Sequence, residues 1–137
     1  MTVVKMQFIL ELVKEEFGDL AKHFVAREFA MNNLAGTNFE QTKTAGVYVF
    51  WHNQYKYVKV GKSQSNASKR ALEHVRDNTQ TKMYAQPAIR MQDFKNDPNC
   101  KLIIFNIDEL CNMHWLLALE HFLEHKLKPA IPSKRSG

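Results

Sequence analysis

The sequence predicts a small α+β domain in which helices flank a three-stranded, mostly antiparallel sheet. Three observations support this fold class. Apolar residues repeat with helical period near the N-terminus, two alternating segments surround a polar turn, and a β-branched run precedes a last helical stripe. We expect an N-terminal helical extension over residues 1–43 and the sheet-containing domain over residues 44–137.

Length and composition are sufficient for one domain with its own core. The chain has 137 residues, 45% of them hydrophobic. Its apolar runs are much shorter than the roughly 20 residues that span a bilayer, so no membrane partner is expected. Its start lacks the arrangement of a secretory signal, and Cys100 and Cys111 form no metal-ligand or disulfide pattern. We therefore expect an intracellular protein, cytoplasmic or nucleoid-associated, with free thiols.

The first 31 residues are predicted to form two helices. The first carries an apolar stripe that ends before Gly18 and consists of Met6, Ile9, Leu10, Val13 and Phe17. A second helical stretch is predicted over residues 19–31, because Leu20, Phe24 and Met31 follow the same period. An apolar stripe at this spacing favours core packing, with a DNA-contacting arm and a dimer surface as the alternatives.

A β-hairpin is predicted over residues 47–63, with its turn at residues 52–54. Alternation places one set of side chains on the core face: Val47, Val49, Trp51, Val58 and Val60. It places a second set on the opposite face: Tyr48, Phe50, Tyr57, Lys59 and Gly61. Tyr48 and Lys59 are therefore expected on one side of the sheet, where their side chains can meet.

A helix is predicted after the hairpin, from an N-cap at Ser65 and Asn66 to about Asp77. Arg70 and His74 lie four residues apart on this helix, at the edge of its buried side. They are therefore expected to lie close together.

The last part of the chain is predicted to contain an irregular segment, a strand and a helix. Residues 79–99 read as irregular with a short helix near residues 89–94, and loops of this length are often functional. Residues 101–108 have the β-branched run of a buried third strand. The final helix covers residues 112–127 and is closed by Pro129.

Positive charge is concentrated in one segment of the chain. Residues 56–76 contain six basic residues and one acidic residue, so this segment carries a net charge of +5, which is the net charge of the whole chain. Such a segment is suited to a phosphate backbone, whose counterions are released when Lys and Arg neutralise it. A solvated basic surface is the alternative.

Two short motifs are incomplete. Gly61-Lys62-Ser63 is similar to the end of a P-loop, but the position five residues before Gly61 is occupied by Lys56 instead of glycine. Residues 121–125 match the H-x-x-E-H pattern of inverted zinc proteases, but no His, Cys, Asp or Glu follows within the remaining twelve residues. These two histidines are expected on a solvated helix face.

One larger set of residues is more complete. The chain contains Ala-Gly-Val-Tyr at residues 45–48, Lys-Val-Gly-Lys-Ser at residues 59–63, then Arg70, His74 and Glu120. In this order and spacing the set resembles the GIY-YIG nucleases, over about residues 44–133. That family has a tyrosine-bearing strand, a second strand ending in glycine, a helix with arginine and a later helix with glutamate. The resemblance implies the GIY-YIG fold and metal-assisted phosphodiester hydrolysis.

The resemblance also implies a role for each residue. Glu120 would be the single protein ligand for Mg²⁺ or Mn²⁺, and Arg70 would clamp the scissile phosphate. Tyr48 would be the general base or position the attacking water. Lys59 stands where most members have a second tyrosine, as in a branch with restriction endonucleases, and is expected to lower the pKa of Tyr48. His74 would hydrogen-bond the tyrosine or a phosphate. The alternative is surface charge for Glu120 and Arg70, and a partly buried helix histidine for His74.

The implied function is a divalent-metal-dependent endonuclease acting on DNA, most simply double-stranded DNA. Five further residues are expected to contact the nucleic acid: Lys56, Lys62, Ser63, Lys69 and Arg76. A palindromic double-strand cutter would be expected to work as a homodimer. Pro132 stands where the family usually carries asparagine, and hydrogen bonds of that asparagine must be lost or supplied by another group. Two alternatives stay open: a nucleic-acid-binding module with weakened cleavage and a regulatory interaction protein with a basic face.

Overall fold

The structure is a computed structural model that describes residues 2–81, 88–108 and 113–132. It is an α+β fold with one four-stranded antiparallel sheet, in the order β1-β4-β2-β3. The elements are α1 Thr2–Phe17, β1 Phe24–Ala30, β2 Gly46–His52, β3 Lys56–Ser63, α2 Ala67–Arg76, β4 Cys100–Ile107 and α3 Met113–Leu127. None of the helices in these ranges is long and apolar enough to cross a membrane.

The sheet has one strand more than the three expected, and the extra strand is β1. Residues 19–31 were expected to be helical, but Gly18–His23 forms a 3₁₀ helix and Phe24–Ala30 pairs along its whole length with β4. The reason is non-local: β4 is buried, and its backbone groups need partners on both edges. Pairing with β4 therefore outweighs the helical spacing of Leu20, Phe24 and Met31. The segment 1–43 therefore contributes a strand to the sheet.

The sheet separates two hydrophobic clusters. The first, which we call the α1/α3 cluster, includes Ile9, Val13, Val47, Val49, Val60, Leu116, Leu119 and Leu123. The second, which we call the α2 cluster, includes Tyr48, Phe50, Val58, Ala71, Val75 and Phe94. Because Tyr48 alternates with Val47 and Val49, its side chain points to the α2 side of the sheet.

A β-bulge in β3 changes the alternation expected for the hairpin. Phe50 lies opposite Lys59 and Trp51 lies opposite Tyr57, so Val58 is the extra residue. Val58 therefore packs in the α2 cluster, and Tyr57 packs against the α1/α3 cluster, opposite to the expected faces. The bulge lies before Lys59 in the chain, so Lys59 keeps the expected face, the one that also carries Tyr48.

The chain after α3 returns to the open edge of β3. Lys128 has a positive φ of 49° and ends the helix. The Ala130 amide then donates to the Tyr57 carbonyl over 2.9 Å, and the Ile131 amide donates to the Val58 carbonyl over 2.8 Å. These bonds hold Pro132 beside β3, next to the cavity described below.

The segment predicted to be irregular, residues 79–99, contains a short antiparallel ribbon. The Thr81 amide donates to the Ile89 carbonyl over 2.9 Å, and the Met91 amide donates to the Thr79 carbonyl over 2.8 Å. The expected short helix is a 3₁₀ turn at Met91–Phe94. Residues 82–87 of this segment, Cys111, the helix start at Asn112 and residues 133–137 lie outside the described residues.

Candidate active site

Five residues that are far apart in the sequence line one cavity of about 700 Å³. Tyr48 comes from β2, Lys59 from β3, Arg70 and His74 from α2, and Glu120 from α3. These are the five residues expected to carry catalysis. Because β3 is an edge strand, α3 on one face of the sheet and α2 on the other can both contribute to a cavity at that edge.

The Tyr48 ring lies over a glycine of the neighbouring strand. Tyr48 is opposite Gly61 in the β2–β3 register, and only 1% of Tyr48 is exposed. A Cβ atom at position 61 would overlap the phenol oxygen and the ring. The glycine at the end of the second motif is therefore required by the position of the tyrosine.

The start of β2 is fixed by contacts that the sequence did not indicate. The Asn106 side-chain amide donates to the Thr42 carbonyl over 3.3 Å and to Thr44 Oγ1 over 3.1 Å. A Cβ atom at Gly46 would collide with the Phe105 carbonyl of β4. The Ala67 amide also donates to the Thr44 carbonyl over 2.8 Å. These contacts fix α2 and β2 relative to each other, and so fix Arg70 and His74 relative to Tyr48.

His74 connects Tyr48 to a threonine. Its Nε2 atom lies 2.7 Å from the phenol oxygen of Tyr48, and its Nδ1 atom lies 2.8 Å from Thr79 Oγ1. Only 8% of His74 is exposed. The expected hydrogen bond between histidine and tyrosine is therefore present. Thr79 was not predicted, since no sequence pattern links it to His74.

Burial raises the pKa of Tyr48 above its ordinary value, because a phenolate is disfavoured away from water. The Arg70 guanidinium opposes this by its charge and by a hydrogen bond, and the Glu120 carboxylate adds to the increase. We expected Lys59 to lower the pKa of Tyr48. The pKa is raised instead, and the Arg70 guanidinium is the strongest influence that opposes the increase.

Burial also lowers the pKa of His74, to about 4, and the charges of Lys59 and Arg70 lower it further. The imidazole is therefore neutral near pH 7, with one nitrogen that can accept a hydrogen bond. Lys59 is 6% exposed, so its ammonium group acts within a partly dehydrated site. Its positive charge disfavours protonation of the histidine.

Arg70 reaches the cavity from an exposed position on α2. Its Nη1 atom donates to Glu73 Oε1 over 3.1 Å, and 47% of its side chain is accessible. A surface ion pair of this kind contributes little to stability. The guanidinium can therefore exchange this contact for phosphate oxygens at a small cost.

Glu120 provides a carboxylate to the same cavity and is half-buried. Mg²⁺ is commonly held by one or two carboxylates, with water and phosphate oxygens in the other positions. Glu120 and Asp77 are the two carboxylates that line the cavity, and Asp77 is paired with Arg76, so Glu120 is the residue that fits this mode. Within the described ranges, no group of three or more His, Cys, Asp and Glu side chains is placed to hold a metal ion.

The five residues expected to contact nucleic acid lie on β3 and α2. Lys62 lines the cavity, and Lys69 is exposed on the first turn of α2. Ser63 has a different role: its hydroxyl oxygen accepts from the amides of Ser65 and Asn66, over 3.2 and 3.0 Å, and shapes the entry to α2.

The other two basic residues of that set have local partners. Lys56 lies at the hairpin turn, where its Nζ atom donates to the Asn53 carbonyl over 3.0 Å. Arg76 pairs with Asp77 at the end of α2, with a distance of 3.0 Å between Nε and Oδ1. Neither Lys56 nor Arg76 lines the cavity.

The histidines of the H-x-x-E-H pattern lie away from the cavity. His121 and His125 are exposed on α3, on the side opposite the buried Leu119 and Leu123. Their expected position on a solvated face is confirmed.

Comparison with protein-family models, with curated proteins and with solved structures finds no match to this chain. The resemblance to GIY-YIG nucleases stays a prediction based on the residues named above.

Proposed function

We propose that the protein is a divalent-metal-dependent endonuclease that hydrolyses phosphodiester bonds in DNA. The observation that carries this proposal is the convergence of Tyr48, Lys59, Arg70, His74 and Glu120 in one cavity. A phenol, a neutral imidazole, two cations and a carboxylate provide a base, a proton acceptor, phosphate-binding groups and a metal ligand. Double-stranded DNA is the proposed substrate, and a homodimer is the proposed form for cutting both strands.

Arg70 binds the scissile phosphate in this mechanism. Its planar guanidinium can donate two parallel hydrogen bonds to phosphate oxygens and stabilises the charge that develops on them. Lys59 and Lys62 add positive charge to the same cavity. These side chains hold the phosphate so that water attacks in line with the leaving oxygen.

Tyr48 and His74 manage the proton. The phenol oxygen is 2.7 Å from His74 Nε2, so the imidazole can receive the phenol proton as Tyr48 takes one from water. The raised pKa of Tyr48 makes a free phenolate scarce. The neutral imidazole can accept the phenol proton during the reaction, so that no free phenolate has to form beforehand. Arg70 also favours the phenolate through its charge and its hydrogen bond.

Glu120 would hold Mg²⁺ or Mn²⁺; of the two carboxylates that line the cavity, the other, Asp77, is paired with Arg76. Such a cation, when bound, acts as a Lewis acid on the phosphate. The chain's own contribution is to aim that carboxylate into the cavity from α3, on the side of β3 opposite to Arg70.

The proposal is tested with supercoiled plasmid, incubated with Mg²⁺, with Mn²⁺ and with chelator. The wild type should nick or linearise the plasmid only with metal. Glu120→Gln should lower the rate by about 100-fold or more while DNA binding is kept, because the amide keeps the shape and removes the charge. Glu16→Gln, at an exposed position of α1, is the matched control and should cleave like the wild type. Cleavage in chelator, or full activity of Glu120→Gln, contradicts the proposal.

A second candidate is a nucleic-acid-binding module with weakened cleavage. Pro132 lines the cavity at the position where the resembling family carries asparagine, and proline offers neither a side-chain donor nor an acceptor. Salt-sensitive DNA binding without metal-dependent nicking would favour this candidate. If the protein neither binds nor nicks DNA, both proposals are without support.

A further inference from the structure

Thr79 contacts the histidine of the candidate site from the side opposite the tyrosine. It lies on the ribbon strand that follows α2, outside every motif of the sequence. Its Oγ1 atom is 2.8 Å from His74 Nδ1, and its backbone amide donates to the His74 carbonyl over 3.0 Å. The Met91 amide donates to the Thr79 carbonyl over 2.8 Å, so both the backbone amide and the backbone carbonyl of this threonine are hydrogen-bonded.

A neutral imidazole carries one proton, so its two hydrogen bonds must run in the same direction. Either the Tyr48 phenol donates to Nε2 and Nδ1–H donates to Thr79 Oγ1, or both bonds are reversed. A phenol, with a pKa of about 10, is a stronger donor than an aliphatic hydroxyl. The aliphatic oxygen keeps its lone pairs out of any ring and is the better acceptor. The first direction is therefore the more stable one.

We propose that Thr79 is a positioning residue that keeps the His74 proton on Nδ1 and thereby leaves Nε2 free to accept from Tyr48. This inference rests on the proposed nuclease function for its catalytic meaning. It predicts the tautomer of His74, which can be measured without substrate. The general logic is that of a base whose orientation and tautomer are set by a third group.

The same contact acts after proton transfer. When Nε2 receives the phenol proton, the imidazolium carries protons on both nitrogens, and Nδ1–H still needs an acceptor. Thr79 Oγ1 accepts it at the distance already present, so no rearrangement is needed. Without that oxygen, a buried N–H would lose its partner, which is costly in a site with little water.

The test is the tautomer of His74, read from ¹⁵N-labelled imidazole resonances near pH 7. The His74 signals are assigned by their loss in His74→Gln. In the wild type, Nε2 should be unprotonated and Nδ1 protonated. Thr79→Val keeps the branched shape and removes the oxygen, so the proton should shift toward Nε2. Thr79→Ser keeps the hydroxyl and should match the wild type, and Thr79→Ala repeats the loss without an added methyl.

Cleavage is measured on the same variants under single-turnover conditions with saturating DNA. Thr79→Val should lower the rate by about 10-fold or more, as loss of an orienting partner of a functional histidine commonly does. Thr79→Ser should stay within about twofold of wild type.

Two results overturn the inference. The first is a wild-type His74 with its proton on Nε2. The second is a tautomer that stays unchanged in Thr79→Val and Thr79→Ala. If the tautomer shifts as expected but the wild type cleaves no DNA, the positioning role stands and the proposed nuclease function fails.

Discussion

The molecule buries two histidines beside aromatic rings, one at each end of the β2–β3 hairpin, and uses them differently. His52 is 7% exposed and stacks on Tyr55, with ring centroids 5.2 Å apart. His74 is 8% exposed and lies against Tyr48, with centroids 5.6 Å apart. Burial and aromatic contact are therefore almost the same at the two sites.

The partners of the two rings differ. His52 Nε2 lies 3.0 Å from Asp97 Oδ2, and its Nδ1 accepts from the backbone amide of Gln54 over 3.0 Å. Those partners tie the hairpin turn to the loop before β4. His74 has two hydroxyl partners, which can each donate or accept, and it faces a cavity. Exchangeable partners and access to a ligand, more than burial, distinguish a site for chemistry from a structural contact.

The largest effect is expected from removing the hydroxyl of Tyr48. Tyr48→Phe should lower cleavage about 100-fold or more, the usual range for loss of a general base. Tyr55→Phe makes the same change beside His52 and should leave the rate near wild type. Single-turnover plasmid cleavage measures both. Equal rates for the two variants would remove Tyr48 from the mechanism.

Replacing each histidine by glutamine should show which one contributes to cleavage and which one to stability. His74→Gln can still accept a hydrogen bond from Tyr48 but cannot take its proton, so the rate should fall about 10-fold to 100-fold. His52→Gln should cleave nearly like wild type but unfold more easily, by about 1 to 3 kcal/mol, because the buried imidazole and its hydrogen bond with Asp97 are lost. Urea unfolding and cleavage on both variants test this. The reverse pattern would mean that the roles are exchanged.

Gly61→Ala should destabilise the protein by about 1 to 3 kcal/mol and displace the Tyr48 ring, because the new methyl occupies the space of that ring. In a Tyr48→Ala background the same change should cost much less, since the space is then free. The four unfolding free energies form a double-mutant cycle. Additive values would mean that the two residues do not share this space.

The smallest effect concerns pH. The pKa of His74 is about 4 in the folded protein, below the ordinary 6.5, so the unfolded chain binds the proton more readily. Between these values stability falls as the pH falls, by up to about 1 kcal/mol per pH unit. His74→Gln should reduce this slope below that of the wild type. Urea midpoints between pH 4 and pH 7 measure it, and equal slopes in wild type and variant would contradict the lowered pKa.

The sequence predicted the elements that depend on local signals. The N-cap at Asn66 accepts from the Lys69 amide over 3.0 Å, and the helix after it begins at Ala67 as expected. The hairpin, the strand β4 and the helix closed by Pro129 also occur where they were expected, as does the end of the first helix before Gly18. Caps, period-two alternation and β-branched runs are properties of neighbouring residues, so they can be read without a fold.

What the sequence missed depends on distant partners. The strand β1 forms because β4 needs an edge partner, and the reversed faces of Val58 and Tyr57 follow from a bulge that no residue type announces. The five cavity residues were named through a family resemblance, but Thr79 and Asn106 belong to no motif. The pKa of Tyr48 was expected to be lowered but is raised, because burial outweighs the nearby positive charge and depends on the fold.

The interlock between the Tyr48 ring and Gly61 also restricts the order in which substitutions can accumulate. Any side chain at position 61 meets the ring first, so that position can vary only after the tyrosine has been replaced by something smaller. Once it has varied, the way back to tyrosine is blocked by the new side chain. For this pair, the phenol can be regained only while position 61 is still glycine.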